Sequence, residues 1–229
     1  MKTKIICTIG PATRKMPILK KLYSEGMDIA RINTKYGNIR EFEEIMNSIQ
    51  KIDSTEILLD IKSLKYLPWL KSQKFDYLAV SFAESSEKIN KIRKLMLPNK
   101  VKIISKIETR RGVENIDKLI QVSDGIMVAR GDLSKNIPLA ELPLFQKLII
   151  KKCNKKKKMV ITATEMLLSM VDSKIPEKAE VSDVANAVLD GSNALMLSEE
   201  SAIGKHPVLA VHMMRKIIED TEKKGKFLK

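Results

Sequence analysis

Residues 101–108 read Val101-Lys102-Ile103-Ile104-Ser105-Lys106-Ile107-Glu108, and residues 123–132 read Ser123-Asp124-Gly125-Ile126-Met127-Val128-Ala129-Arg130-Gly131-Asp132. Two short apolar runs, Val101 to Ile107 and Gly125 to Ala129, flank a stretch of helical period from Asn115 to Val122. Each run is apolar enough to be buried on both faces, the habit of parallel strands.

The same unit recurs along the chain. Further strands are expected at Ile5 to Ile9, Asp28 to Ile32, Glu56 to Asp60, Tyr77 to Phe82, Met159 to Thr162 and Ala194 to Leu197. Helical segments fall between them: Met16 to Glu25, Ile39 to Ile52, Lys88 to Met96 opened by Ser85-Ser86-Glu87, Pro143 to Cys153, Asp183 to Leu189, and Pro207 to Thr221. Eight strands alternating with helices in 229 residues predict an α/β chain, a (β/α)8 TIM barrel in one domain over residues 1–229. A doubly wound open sheet is the alternative. The irregular crossover is Ser63 to Asp76, which holds Pro68 and Trp69 and is short for a full helix.

Composition narrows the function. At 44% hydrophobic the chain can bury a real core. Its apolar runs fall far short of the ~18–20 residues of a membrane span, and it begins without a signal-peptide pattern. Two cysteines, Cys7 and Cys153, make neither a disulfide framework nor a zinc site, which suits a cytoplasmic protein. The net charge is +14, from 42 Lys and Arg against 28 acids. Only 8 of the 42 are Arg and aromatics are 4%, a poor match to nucleic-acid readers. The charge reads first as solvated helix faces and second as attraction for small anions. The run Lys155-Lys156-Lys157-Lys158 reads as a solvated helix end.

In such barrels function sits on the loops after the strands. Glu108 and Asp132 end neighbouring strands and can share one hard divalent cation, which typically takes one or two protein carboxylates. Lys106, two residues before Glu108, projects to the same side and can stabilise developing negative charge. Gly131 lets backbone approach a ligand. Taken alone, Glu108 and Asp132 could equally be surface charges paired with Arg130 or Arg110.

The motifs together resemble the pyruvate kinase family. The residues that carry the resemblance are Cys7-Thr8-Ile9-Gly10-Pro11-Ala12, Gly26-Met27 to Asn33, Lys106-Ile107-Glu108, Ser123 to Leu133, Ile161-Thr162-Ala163-Thr164, Glu180 to Gly191, and Met196-Leu197-Ser198 with Glu200. The resemblance implies roles. Arg31 would contact the transferred phosphoryl group, and Lys106 would stabilise that group and the enolate oxygen. Glu108 and Asp132 would hold Mg²⁺, with Mn²⁺ as a substitute. The backbone of Ala129, Arg130, Gly131 and Asp132, with Thr164, would bind the substrate carboxylate. Thr164, Ser198 and Glu200 would line the proton path to the enolate carbon. Asn33 and Asp60 would belong to a monovalent-cation site.

Departures from the family are as specific. Its lid domain follows strand three, where residues 66–75 leave no room for one, and no C-terminal domain is expected within the 229 residues. The family's Asp-Thr-Lys-Gly-Pro-Glu-Ile-Arg is here Asp60-Ile61-Lys62-Ser63-Leu64-Lys65-Tyr66-Leu67. A phosphate-contacting Arg is thus Leu67, and a potassium ligand is Ile61. Asn-Phe-Ser-His-Gly is here Asn33-Thr34-Lys35-Tyr36-Gly37. Lys35 and Lys65 are therefore expected to replace K⁺, so that K⁺ is not required. Glu165, Glu199 and Ser201 replace Gln, Gly and Thr. The resulting expectation is a minimal, cytoplasmic glycolytic enzyme of the pyruvate kinase type. It would move a phosphoryl group between phosphoenolpyruvate and ADP through a pyruvate enolate, with weak nucleotide binding. The alternatives are an Mg²⁺-dependent pyruvate-enolate enzyme without nucleotide (decarboxylase, aldolase or lyase, or phosphoenolpyruvate hydrolase) and a non-catalytic subunit. Homo-oligomers would form through the outer helices.

Overall fold

The computed structural model describes residues 3–52 and 54–225. In chain order the elements are β1 (Lys4–Thr8), α1 (Met16–Ser24), β2 (Ile29–Asn33), α2 (Ile39–Ile49), β3 (Glu56–Ile61), α3 (Leu67–Leu70), β4 (Tyr77–Val80) and α4 (Ser86–Met96). They continue with β5 (Lys102–Ile107), α5 (Arg110–Glu114), α6 (Ile116–Val122), β6 (Gly125–Ala129), α7 (Arg130–Leu133), α8 (Leu142–Lys155), β7 (Met159–Ala163), α9 (Lys178–Leu189), β8 (Ala194–Leu197), α10 (Glu199–Ala202) and α11 (Pro207–Lys224). The strands pair in sequence order, all parallel, and β1 closes on β8 with Ile5 opposite Leu195. The open-sheet alternative is excluded.

Strand period sorts the core into two layers. Ile5 and Cys7 point outward to the helices, whose inner faces supply Leu19, Leu22, Phe42, Met46, Ile89 and Ile92. Ile6 points inward, with Ile29, Leu58, Ala79, Ile104, Met127, Ile161 and Met196 from the other strands. One step further along each strand, the inward position is Thr8, Arg31, Asp60, Ser81, Lys106, Ala129, Ala163 and Ser198. The apolar plug of the barrel therefore ends in a layer rich in polar groups at the carboxyl mouth.

Helix starts follow local chemistry. Asn38 and Glu41 form a capping box on α2, and Pro17, Pro143 and Pro207 stand in first turns. Several segments differ from the sequence expectation, among them the short helices α7 and α10 and the end of α11, which runs to Lys224 rather than Thr221. Thr109 caps an additional helix, α5, by accepting from Gly112 N–H at 3.1 Å. Helix α9 starts at Lys178, five residues before Asp183, because Glu180 accepts from Glu177 N–H at 2.9 Å. Helix α2 stops at Ile49 rather than Ile52. The β3–β4 crossover holds a 3₁₀ turn, Leu64–Tyr66, and the one-turn α3. There Tyr66, Trp69 and Phe42 pack edge-on or tilted at 5.8–6.3 Å. Of the lysine run, Lys155 to Lys157 are exposed, but the Lys158 ammonium is partly buried and donates to the Ser123 carbonyl at 2.6 Å. No helix among the described residues is long and apolar enough to cross a membrane.

Candidate active site

Four ionic side chains meet in the polar layer. Lys106 Nζ donates to Asp60 Oδ1 at 3.0 Å and to Ser81 Oγ at 3.0 Å, and lies 2.9 Å from Glu108 Oε1. Arg31 grips the other oxygen of Asp60 through Nε (3.0 Å) and Nη2 (2.7 Å), and donates from Nη1 to Thr8 Oγ1 at 2.7 Å. Asp60 is 1% exposed and Glu108 2%. Glu108 is thus no surface charge. Arg110 pairs with Glu141 and Arg130 with Asp183. Burial pushes the Asp60 pKa up, but the charges of Lys106 and Arg31 and their hydrogen bonds outweigh it, and the net shift is downward.

Glu108 Oε2 accepts the Phe82 N–H at 2.6 Å. The backbones of Glu108 and Asp132 are tied by one amide: Asn136 Nδ2 donates to the Glu108 carbonyl at 3.0 Å and to the Asp132 carbonyl at 2.9 Å. The Asp132 carboxylate is half-exposed and meets only Lys135, at 3.3 Å, among the described residues. These are two carboxylates with hard oxygens, one fixed in the wall and one open to solvent, the donor type that could hold a Mg²⁺. Among the described residues no cluster of three or more His, Cys, Asp or Glu forms a fuller cage.

Thr164 sits beside Gly131, whose N–H donates to Thr164 Oγ1 at 2.7 Å; that hydroxyl donates to the Ala163 carbonyl at 2.6 Å. Thr164 and Glu165 both have positive φ, 73° and 53°. The Arg130 guanidinium holds them so, donating to the Thr164 carbonyl at 2.7 Å and the Glu165 carbonyl at 3.0 Å, with Asp183 behind it at 2.6 Å. The side chain of Arg130 is therefore spent on these carbonyls and on Asp183.

On the β8 side, Glu200 is fully buried. Its two oxygens accept Leu167 N–H (3.0 Å) and Ser198 N–H (2.7 Å). Burial raises its pKa above the ordinary carboxylate value, against the pull of those N–H groups. Ser198 Oγ is buried and has no hydrogen-bond partner among the described residues. Gly10 passes so close to α10 that a Cβ there would lie 2.6 Å from the Ala202 carbonyl oxygen.

Asn33 stands opposite Asp60 in register, but its Oδ1 caps Lys35 N–H at 3.1 Å. Lys35 and Lys65 are not brought to Asp60. Each ammonium lies over the ring of the next residue, Tyr36 at 5.1 Å and Tyr66 at 4.6 Å. The charges beside Asp60 are Arg31 and Lys106 instead. A cavity of about 460 Å³ adjoins this corner, lined by Ile9, Arg14, Arg31, Asn33, Tyr36 and Ile203 among others. Sequence reasoning did not single out Ser81, Thr8 or Asn136. The strand-end rule points to the first two; the reach of Asn136 from beyond α7 has no local signature.

Fold and site together are those of a (β/α)8-barrel protein with an ionic centre at the carboxyl ends of its strands. The family model described as "Pyruvate kinase, barrel domain" matches residues 1–66 and 58–211, and the chain belongs to that family. The pyruvate kinase of Clostridium acetobutylicum is 50% identical over 153 residues, 66% of this chain and 32% of that protein. That of Thermoplasma acidophilum is 29% identical over 327 aligned residues, covering 99% of this chain and 59% of that protein. The chain thus spans between about a third and three fifths of these relatives. A pyruvate kinase structure from Cryptosporidium parvum superposes with a TM-score of 0.93 at 26% identity, over 97% of this chain and 69% of that one.

Proposed function

We propose that this barrel carries out pyruvate-enolate chemistry and transfers a phosphoryl group between phosphoenolpyruvate and ADP. The observation that carries the reading is the Lys106 ammonium, buried between Asp60 and Glu108 and beside Arg31. Glu108 and Asp132 would hold Mg²⁺, which when bound supplies Lewis acidity to the enolate oxygens and the phosphoryl group. Lys106 neutralises charge on the enolate oxygen and the moving phosphoryl; its three donors are held by Asp60, Ser81 and Glu108, so one of these bonds opens when it meets the substrate. Arg31 offers a second fixed cation on the same side. The Gly131 N–H and the Thr164 hydroxyl, which bond to Thr164 Oγ1 and the Ala163 carbonyl here, would turn to the substrate carboxylate. The unpartnered Ser198 hydroxyl is available to a substrate group or a water on the proton path.

The cavity beside Arg31 and Arg14 is of ligand size and supports a nucleotide site. A reading without nucleotide transfer draws on Leu67. Where the family motif has a phosphate-contacting arginine, this residue is 8% exposed and packs into the core.

The test is deuterium uptake into the methyl group of pyruvate by NMR, run beside a coupled ATP assay. Mg²⁺-dependent exchange is expected, with net ATP formation much weaker than in a full-length family member. Lys106→Met should abolish exchange while the fold persists. Asp132→Ala should weaken Mg²⁺–oxalate binding in calorimetry; an unchanged affinity would remove Asp132 from the metal site. No exchange in the presence of bound Mg²⁺ would favour a non-catalytic subunit, and brisk ATP synthesis would refute the expected weakness of transfer.

A further inference from the structure

The turn after β4 delivers two of the contacts that aim the ionic centre. Ser81 Oγ accepts from Lys106 at 3.0 Å, and Phe82 N–H donates to Glu108 Oε2 at 2.6 Å. Phe82 makes its contact from φ 51°, the left-handed region that a residue with a Cβ enters only under constraint.

The constraint is visible. Lys88 Nζ donates to the Ser81 carbonyl at 2.9 Å and to the Phe82 carbonyl at 2.8 Å. One ammonium therefore fixes both peptide oxygens that bracket the turn. Local rules would not put a lysine there. Lys88 is the third residue of α4, inside the first turn, after the cap residue Ser85. At that position the helix dipole favours an acid, and a Ser cap is completed by Glu or Gln. Lys88 is also half-buried, and that burial lowers its pKa. A cation kept against both effects is kept by what it binds.

The molecule uses the device twice. After β7 the Arg130 guanidinium donates to two successive carbonyls, Thr164 and Glu165, and both residues have positive φ. That clamp sets Thr164; the Lys88 clamp sets Ser81 and Phe82.

We propose that Lys88 is a positioning residue for the reaction: by clamping the Ser81–Phe82 turn it aims Glu108 at the divalent cation and Lys106 at the enolate oxygen. The inference rests on the roles proposed above for Lys106 and Glu108.

The variants are Lys88→Met, which keeps bulk and removes the donors, Lys88→Arg, which restores donors, and Lys91→Met, a charge-removal control at an exposed position of the same helix. Three measurements are made on each: hydrogen exchange of the Phe82 amide, Mg²⁺–oxalate affinity by calorimetry, and the rate of pyruvate deuteration. In Lys88→Met, Phe82 exchange should accelerate at least tenfold, Mg²⁺–oxalate affinity should fall about tenfold, and deuteration should slow tenfold or more. Lys88→Arg should recover most of each loss, and Lys91→Met should match the unaltered chain. Phe82 protection that survives in Lys88→Met overturns the inference. So does lost protection with unchanged affinity and deuteration, the pattern of a merely structural contact. Absence of deuteration in the unaltered chain would strike the proposed function alone, and amide protection and Mg²⁺ affinity would still decide the role of Lys88. An unaltered chain that binds no Mg²⁺ overturns both.

Discussion

Asp60 is the residue on which the ionic centre turns. It accepts from Arg31 through one oxygen and from Lys106 through the other, and none of the three is more than 7% exposed. Removing one partner of such a buried set strands the others, at about 3–5 kcal/mol. Asp60→Asn should therefore cost stability of that order at pH 7 in urea unfolding. The pH dependence has a definite sign. The Asp60 pKa is lowered in the folded state, against about 3.9 when unfolded. Its contribution is therefore complete above that unfolded value and is lost as pH falls through the lower folded value. The gap between the parent and Asp60→Asn should be flat from pH 7 to about 5 and should close below about 4. A gap that widens in acid would show that Asp60 is not the ionised centre of the network.

At the scale of elements, the β3–β4 crossover makes the chain unlike its family motif. Residues 62–76 fold as a 3₁₀ turn and the single turn of α3, and Trp69 ties this segment to α2 through Nε1–H to Glu43 Oε1 at 2.9 Å. Lys65 belongs to this turn and stays over Tyr66. Positive charge at Asp60 is supplied from β2 and β5, by Arg31 and Lys106. We therefore expect reaction rates in tetramethylammonium buffer to match those in potassium buffer. A tenfold gain on adding K⁺ would mean that Asn33 and Asp60 still bind it.

The same elements show what the sequence made legible. Short runs apolar on both faces marked all eight strands to within about two residues, because parallel barrel strands have no solvent face to interrupt the pattern. Period 2 put Lys106 and Glu108 on one side, and they are 2.9 Å apart. Lys88 and Asn136 were not legible. Lys88 reaches back to the carbonyls of the turn before its own helix, and Asn136 reaches the Glu108 carbonyl in another loop; such contacts depend on how side chains are set against a strand end, which no run of residue types encodes. Lys35 and Lys65 show the converse. Their positions suited a cation site, but exposed side chains with aromatic neighbours had a nearer partner.

For the whole molecule the governing quantity is a net charge of +14. Many of the ion pairs are exposed and individually weak, such as Arg40 with Glu44 and Lys205 with Asp172. Unpaired lysines dominate the surface field, and like charges at this density destabilise the compact state while drawing anions toward it. Salt acts on both effects, because its screening length falls from roughly 30 Å at 0.01 M to about 8 Å at 0.15 M. The two responses have opposite signs. Raising NaCl from 0.01 to 0.15 M should raise the thermal midpoint by a few degrees, since relief of about 1 kcal/mol shifts Tm by about 2–4 °C in a chain of this size. Over the same range kcat/KM for phosphoenolpyruvate should fall several-fold with kcat nearly constant, because steering affects encounter and not the buried chemistry. The buried set around Lys106 is screened far less than surface charge, so its contribution should not move. A Tm that falls with salt would mean that surface ion pairs outweigh net repulsion. A kcat that falls with kcat/KM would place the salt effect inside the ionic centre, in conflict with its burial.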